Sequence, residues 1–175
     1  MTDAVTVGTR TVVAWIVEGG WSAVIDAARA YAPADAQIVL VHVTDPGVTE
    51  VAHGSYAGLL GRGHRERDPG TRLEQLGAAS AAQLLQAAAD RLGRPCLQRE
   101  RTGRPEREVV AAADGAELLV LARDGDQSRL GPKSLGRASR FIVDHAPCPV
   151  LLVWPAPAPG IDTIPPPPPP PRHRP

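Results

Sequence analysis

The stretch from Thr11 to Val43 constrains the fold most. "TVVAWIV", Thr11 to Val17, is a nearly continuous apolar run rich in β-branched residues, and "EGG" breaks it. Such a run suits a strand buried on both faces of a sheet. The helical segment "AVIDAARAYA" follows, with Ser22 placed to cap it and Pro33 marking its far end. A second apolar run, "QIVLVHV", spans Gln37 to Val43. Strand, helix and strand within about thirty residues make a βαβ unit. The two strands must then be parallel and the crossover right-handed.

The alternation resumes further along. Residues 44–71 hold glycines, histidines and charges without a sustained period, which predicts a long loop or insertion with a short helical turn near Tyr56 to Leu60. "RLEQLGAASAAQLLQAAADRLG" regains helical spacing, with Leu73, Leu76, Ala79, Leu84 and Ala87 on one face and Gly93 ending the run. "CLQRERT" is polar and weakly alternating, as suits an edge strand. "PEREVVAAADG" is a helix opened by Pro105 and closed by Gly115. "AELLVLA" is a buried strand, "SLGRASRFIVDHA" a helix and "PVLLVW" a last strand. Five strands alternating with helices predict a doubly wound α/β fold built on a parallel sheet.

The domain therefore runs over 11–154, after a flexible N-terminus at 1–10. Beyond Trp154, "PAPAPGIDTIPPPPPPPRHRP" has too little apolar surface and too few amide donors to order itself, which predicts a disordered proline-rich tail over 155–175. Its PxxP pattern with a flanking arginine also suits a protein partner that reads proline-rich segments.

Charge narrows the partners. Lys plus Arg and Asp plus Glu both number 19, so no global field recruits nucleic acid or an anionic membrane. No stretch approaches the ~20 apolar residues of a membrane span, and "MTDAVTVGTR" lacks a basic segment leading into an apolar one, so a cytoplasmic protein is expected. Cys96 and Cys148 are too few and too far apart for a disulfide framework or a metal knuckle. His53 and His64 have no acidic or cysteine partner at ligand spacing, and "GLLGRGHR" lacks the Lys-Ser/Thr ending of a P-loop. No serine occupies a G-x-S-x-G elbow and no carboxylate pair is placed for hydrolysis, so no catalytic residue is assigned. His42 is expected to be structural, and His145 to cap a helix end.

"WIVEGG", "IVLVHV", "TGRPEREVVAAADGAELLVLA" and above all "GRASRFIVDHAPCPVLLV" resemble the universal stress protein family from about Val12 to Val153. The resemblance implies the strand order 3-2-1-4-5 and a homodimer formed through the strand Val150 to Trp154. ATP-binding members carry G-x2-G-x9-G-S/T between the fourth strand and the helix after it. Glycines there let backbone amides approach phosphate, and the hydroxyl donates at a helix N-terminus whose dipole favours anions. In this chain the third glycine is Gly136, the hydroxyl position is Arg137, and the first two glycine positions fall on Arg123 and Asp126. The acid ending the first strand is Glu18 in place of the usual aspartate.

A hydrogen bond to charged phosphate contributes about 1.5–3 kcal/mol, so losing one or two weakens binding roughly ten- to ten-thousand-fold. Glu18, Val43, Arg123, Gly136, Arg137 and Ser139 are accordingly taken as an altered nucleotide or anion site. Arg137 is either a solvated first-turn residue or part of an arginine cluster with Arg123, Arg129, Lys133 and Arg140 that holds another phosphate ligand, with Ser134 and Ser139 supplying hydroxyls. The resemblance implies a non-enzymatic stress-response or signalling module that acts as a dimer through protein contacts and needs no cofactor. The alternative is a switch that binds ATP or another phosphorylated ligand.

Overall fold

The computed structural model describes residues 10–46 and 69–167, with the backbone alone over 69–75. Its strands are β1 (Thr11–Trp15), β2 (Gln37–Thr44), β3 (Cys96–Thr102), β4 (Leu118–Ala122) and β5 (Val150–Val153). Its helices are α1 (Trp21–Tyr31), α2 (Pro69–Leu92), α3 (Pro105–Ala112) and α4 (Arg137–His145). All neighbouring strands pair in parallel, in the order β3-β2-β1-β4-β5.

Successive residues of a strand point to opposite faces, so each buried strand feeds two cores. Val12, Ala14, Ile16, Ile38, Leu40 and Val120 pack against α1 and α2. Val13, Trp15, Val41, Val43, Leu119 and Leu121 pack against Val109 and Ala113 near the end of α3 and Ile142 of α4. The outer strand β3 is mostly exposed, in keeping with its charges, and the other edge, β5, is half-buried throughout. Arg94 covers the amino ends of β2 and β3 by donating to the carbonyls of Pro33, Ala34 and Ala36.

Three details depart from the sequence-based expectations. Helix α1 starts at Trp21, with Gly20 as its uncapped N-cap residue, so Ser22 lies inside the first turn. Gly20 is required there because a Cβ would stand 2.8 Å from the Cβ of Ala122. In α2 the buried face is Ala81, Leu85, Ala88 and Leu92, while Leu76 is 62% exposed and Ala79 is exposed. An alanine-rich helix offers little contrast between its faces, and tertiary packing decides which one turns inward.

The third departure concerns the segment expected to be a disordered tail. Residues 155–167 are described, and Ile161–Thr163 form a turn of 3-10 helix. The Thr163 hydroxyl oxygen accepts from the Leu130 amide at 3.0 Å and donates to the Gly160 carbonyl at 2.6 Å. Residues 1–9, 47–68 and 168–175 lie outside the described residues, and with them most of the expected loop over 44–71, its helical turn at Tyr56 to Leu60, His53 and His64.

Candidate functional site

Strand order reverses beside β1, whose neighbours β2 and β4 leave toward opposite edges of the sheet. In such sheets the crevice outside the carboxyl ends of the strands at this point is where ligands bind. Two cavities occupy it. One, of about 250 Å³, lies between the β1–α1 turn and the end of β4, against Trp15, Gly19, Ala122, Asp124, Gln127 and Pro155. The other, of about 420 Å³, lies between the end of β2 and α2, against His42, Val43, Thr44, Ser80 and Leu84. Val17 and Glu18 line both, so the two cavities adjoin at Glu18.

Some polar groups in this crevice are already engaged. His42 is held by its Nδ1–H, which donates to the Ile16 carbonyl at 2.9 Å. Two others have no partner: the Thr44 hydroxyl oxygen and Arg123 Nε are buried without a hydrogen bond. Each belongs to a residue lining one of the two cavities. A buried polar atom without a partner carries a desolvation cost that a ligand atom could relieve.

The loop from β4 to α4 is where a phosphate cradle would lie, and here the chain fills it with its own groups. The Asp124 carboxylate accepts from the Gly136 amide at 2.7 Å and lies 3.5 Å from the Ser139 amide. A side-chain anion thus sits at the N-terminus of α4, where orphan amides and the helix dipole attract negative charge. Gly136 makes this contact geometrically accessible, since a Cβ there would stand 2.8 Å from the Asp124 carboxylate.

The limbs of the loop close on each other through Gly125 N to Ser134 O at 3.0 Å and Asp126 N to Lys133 O at 2.8 Å. Gly125 is the glycine this approach requires, because a Cβ would collide with the Lys133 carbonyl oxygen. Asp126 folds back onto its own turn, accepting from the Ser128 hydroxyl, the Ser128 amide and Arg129 Nε. Those donors, the Ser128 hydroxyl foremost, hold its carboxyl down to about 2.

The basic residues separate instead of converging. Arg123 turns toward β5, donating to the Ser134 hydroxyl, with its guanidinium 4.8 Å from the centroid of the Trp154 ring. Arg129 pairs with Asp126 at 2.9 Å. Arg137 and Arg140 line a different groove between α3 and α4. Ser134 and Ser139 are fully buried and used internally: the Ser134 hydroxyl donates to the Gly131 carbonyl, and that of Ser139 to the Ala122 carbonyl. Of the residues assigned from sequence, Glu18, Val43 and Arg123 line the crevice, whereas Gly136 and Ser139 meet at Asp124 and Arg137 lies outside.

Asp124, Gly125, Gln127 and Thr44 were not singled out in the sequence. One sequence cue for Asp124 existed: α4 begins at a glycine with no Ser, Thr, Asp or Asn to cap it, so its amides needed an acid from elsewhere.

The remaining titratable groups add little chemistry here. Burial pushes both cysteine thiols up, which leaves them poor nucleophiles. Among the described residues no group of three or more His, Cys, Asp or Glu could hold a metal ion, and no helix is long and apolar enough to cross a membrane. The His145 Nδ1–H donates to the Phe141 carbonyl at 2.8 Å, the helix-end cap its position suggests.

Solved structures share this architecture. A universal stress protein crystallised in complex with cAMP aligns with a TM-score of 0.57 at 20% identity, covering 85% of this chain and 98% of that one. The universal stress protein UspA from Lactobacillus plantarum aligns at 0.54 with 19% identity, covering 82% and 97%. No curated protein matches the chain in sequence. The profile of the universal stress protein family matches from residue 17 to residue 153, just past the first strand to the end of the last, and the chain belongs to that family.

Proposed function

We propose that this chain is a non-enzymatic member of its family, acting in stress response or signalling through protein contacts, with a remodelled nucleotide pocket. The observation that carries this reading is the Asp124 carboxylate on the Gly136 amide at 2.7 Å. A triphosphate needs that amide, and it would meet a fixed negative charge there. Arg123 and Asp126 stand where glycines would admit phosphate to the backbone. The residues present therefore do not fit ATP held by its phosphates.

Two features support action through protein contacts. The edge strand β5 presents four half-buried apolar residues, which suits pairing with a second copy into a homodimer. The proline-rich segment after it suits a partner that reads extended polyproline.

The rival reading, a nucleotide-dependent switch, draws on the two adjoining cavities and their unpartnered Thr44 hydroxyl and Arg123 Nε. It draws too on the fold likeness to a universal stress protein solved with cAMP. Calorimetric titration with magnesium ATP separates the two. No binding by the native chain up to millimolar nucleotide, with measurable binding after Asp124→Asn, is expected. Micromolar binding by the native chain would overturn the proposal in favour of the switch.

A further inference from the structure

The groove between α3 and α4 gathers four arginines. Arg104 precedes α3 and Arg107 lies in its first turn, while Arg137 and Arg140 come from the start of α4. In α4, residues 137, 140, 141, 144 and 145 follow i, i+3, i+4, i+7 and i+8, which places them on one helical face. The cavity measures about 480 Å³, within the range of small-molecule sites. It shares no lining residue with the cavity beside Asp124.

The charge in this groove is not neutralised internally. Glu106 and Asp144 are the only carboxylates lining it, against four guanidiniums. Some arginines outside the groove pair with acids: Arg91 with Asp26, Arg101 with Glu108 and Arg129 with Asp126. In the groove neither acid forms an ion pair with an arginine in the described structure. Arg140 is anchored by the carbonyls of Pro132 and Leu135, which fixes one guanidinium at the wall. The side chains of Arg104, Arg107 and Arg137 form no hydrogen bond among the described residues, and all three residues are exposed. The Phe141 ring, stacked on His145 at 4.0 Å between centroids, supplies a flat apolar wall.

We propose that this groove binds a small polyanion carrying two or more phosphate groups. Guanidinium forks match phosphate oxygens two at a time, and several such groups around one concavity reward a ligand with several phosphates. The equal totals of acidic and basic residues disfavour a nucleic acid, which binds along an extended basic field. Arg137, which stands at the hydroxyl position of the family's phosphate motif, thereby gains a phosphate role in this groove and not in the crevice. The proposal does not depend on whether the crevice binds nucleotide.

Inorganic tripolyphosphate titrated calorimetrically into the full chain at low salt tests it. Saturable binding that weakens as salt rises is expected, and the double variant Arg107→Ala, Arg137→Ala should lose roughly tenfold or more in affinity. Both side chains are exposed, so thermal melts of the variant should match the native chain. Lysine at the same two positions should recover only part of the affinity, since charge remains and the planar fork does not. No native binding, an unchanged affinity in the double variant, or an equal loss in the exposed control Arg99→Ala would each overturn the proposal. So would a poly-glutamate peptide that occupies the groove more tightly than tripolyphosphate.

Discussion

The Asp124 carboxylate caps α4 through the Gly136 amide, twelve residues downstream and 2.7 Å away. An acid two residues past the end of β4 thus does the work that a residue adjacent to the helix usually does. Asp124→Ala should cost about 1 kcal/mol, the ordinary loss for an N-terminal cap, read as a shift in the urea unfolding midpoint. Asp124→Asn keeps an oxygen for the Gly136 amide and loses the charge, so its cost should be smaller. Equal stability of the native and alanine forms would show that the contact contributes nothing.

Gly125 is fixed by contact rather than by an unusual torsion. An added methyl would enter the space of the Lys133 carbonyl oxygen. Gly125→Ala should destabilise the chain by about 1–3 kcal/mol, the range for overpacking a site that cannot yield. Limited proteolysis should then cut first within 123–136; an unaltered digestion pattern and melting temperature would contradict this.

Asp126 gives the loop a defined acid limit. Its carboxyl is lowered from 3.8 to about 2 by the Ser128 hydroxyl first, then by the Ser128 amide and Arg129. A group whose folded value is depressed favours the folded turn fully above its unfolded value and loses that contribution as pH falls through the folded one. The turn over 126–129 should hold above pH 4 and open between about 4 and 2. A carboxyl carbon titration by NMR should place the midpoint near 2 and move it upward in Ser128→Ala. A midpoint near 4 in the native chain would contradict the hydrogen bonding described.

The parallel strands were legible because strands buried on both faces leave continuous apolar runs, as in Val12 to Ile16 and Ile38 to Val41. The polar strand β3 was equally plain from its charges. The inward face of α2 was not, since alanines surround both Leu76 and Leu85 and only packing against β2 and α1 distinguishes them. In the loop after β4, counting along the motif located Arg123, Asp126 and Arg137. It could not tell which neighbouring side chain turns back onto the helix. That choice falls to Asp124 because Arg123 is drawn away by Trp154 and Asp126 by Ser128 and Arg129. Nor could composition show that the segment after Trp154 returns to the body of the domain, a contact that rests on Thr163 and the Leu130 amide.

A helix that carries its own tethered counter-ion answers to outside anions by exchange. Anything negative that arrives at α4 competes with a carboxylate whose local concentration is of millimolar order or above, as for any short flexible tether. Occupancy there would report how far a solute outcompetes a captive rival, so weakly held anions would pass unnoticed and only a ligand with additional holds elsewhere in the crevice would register.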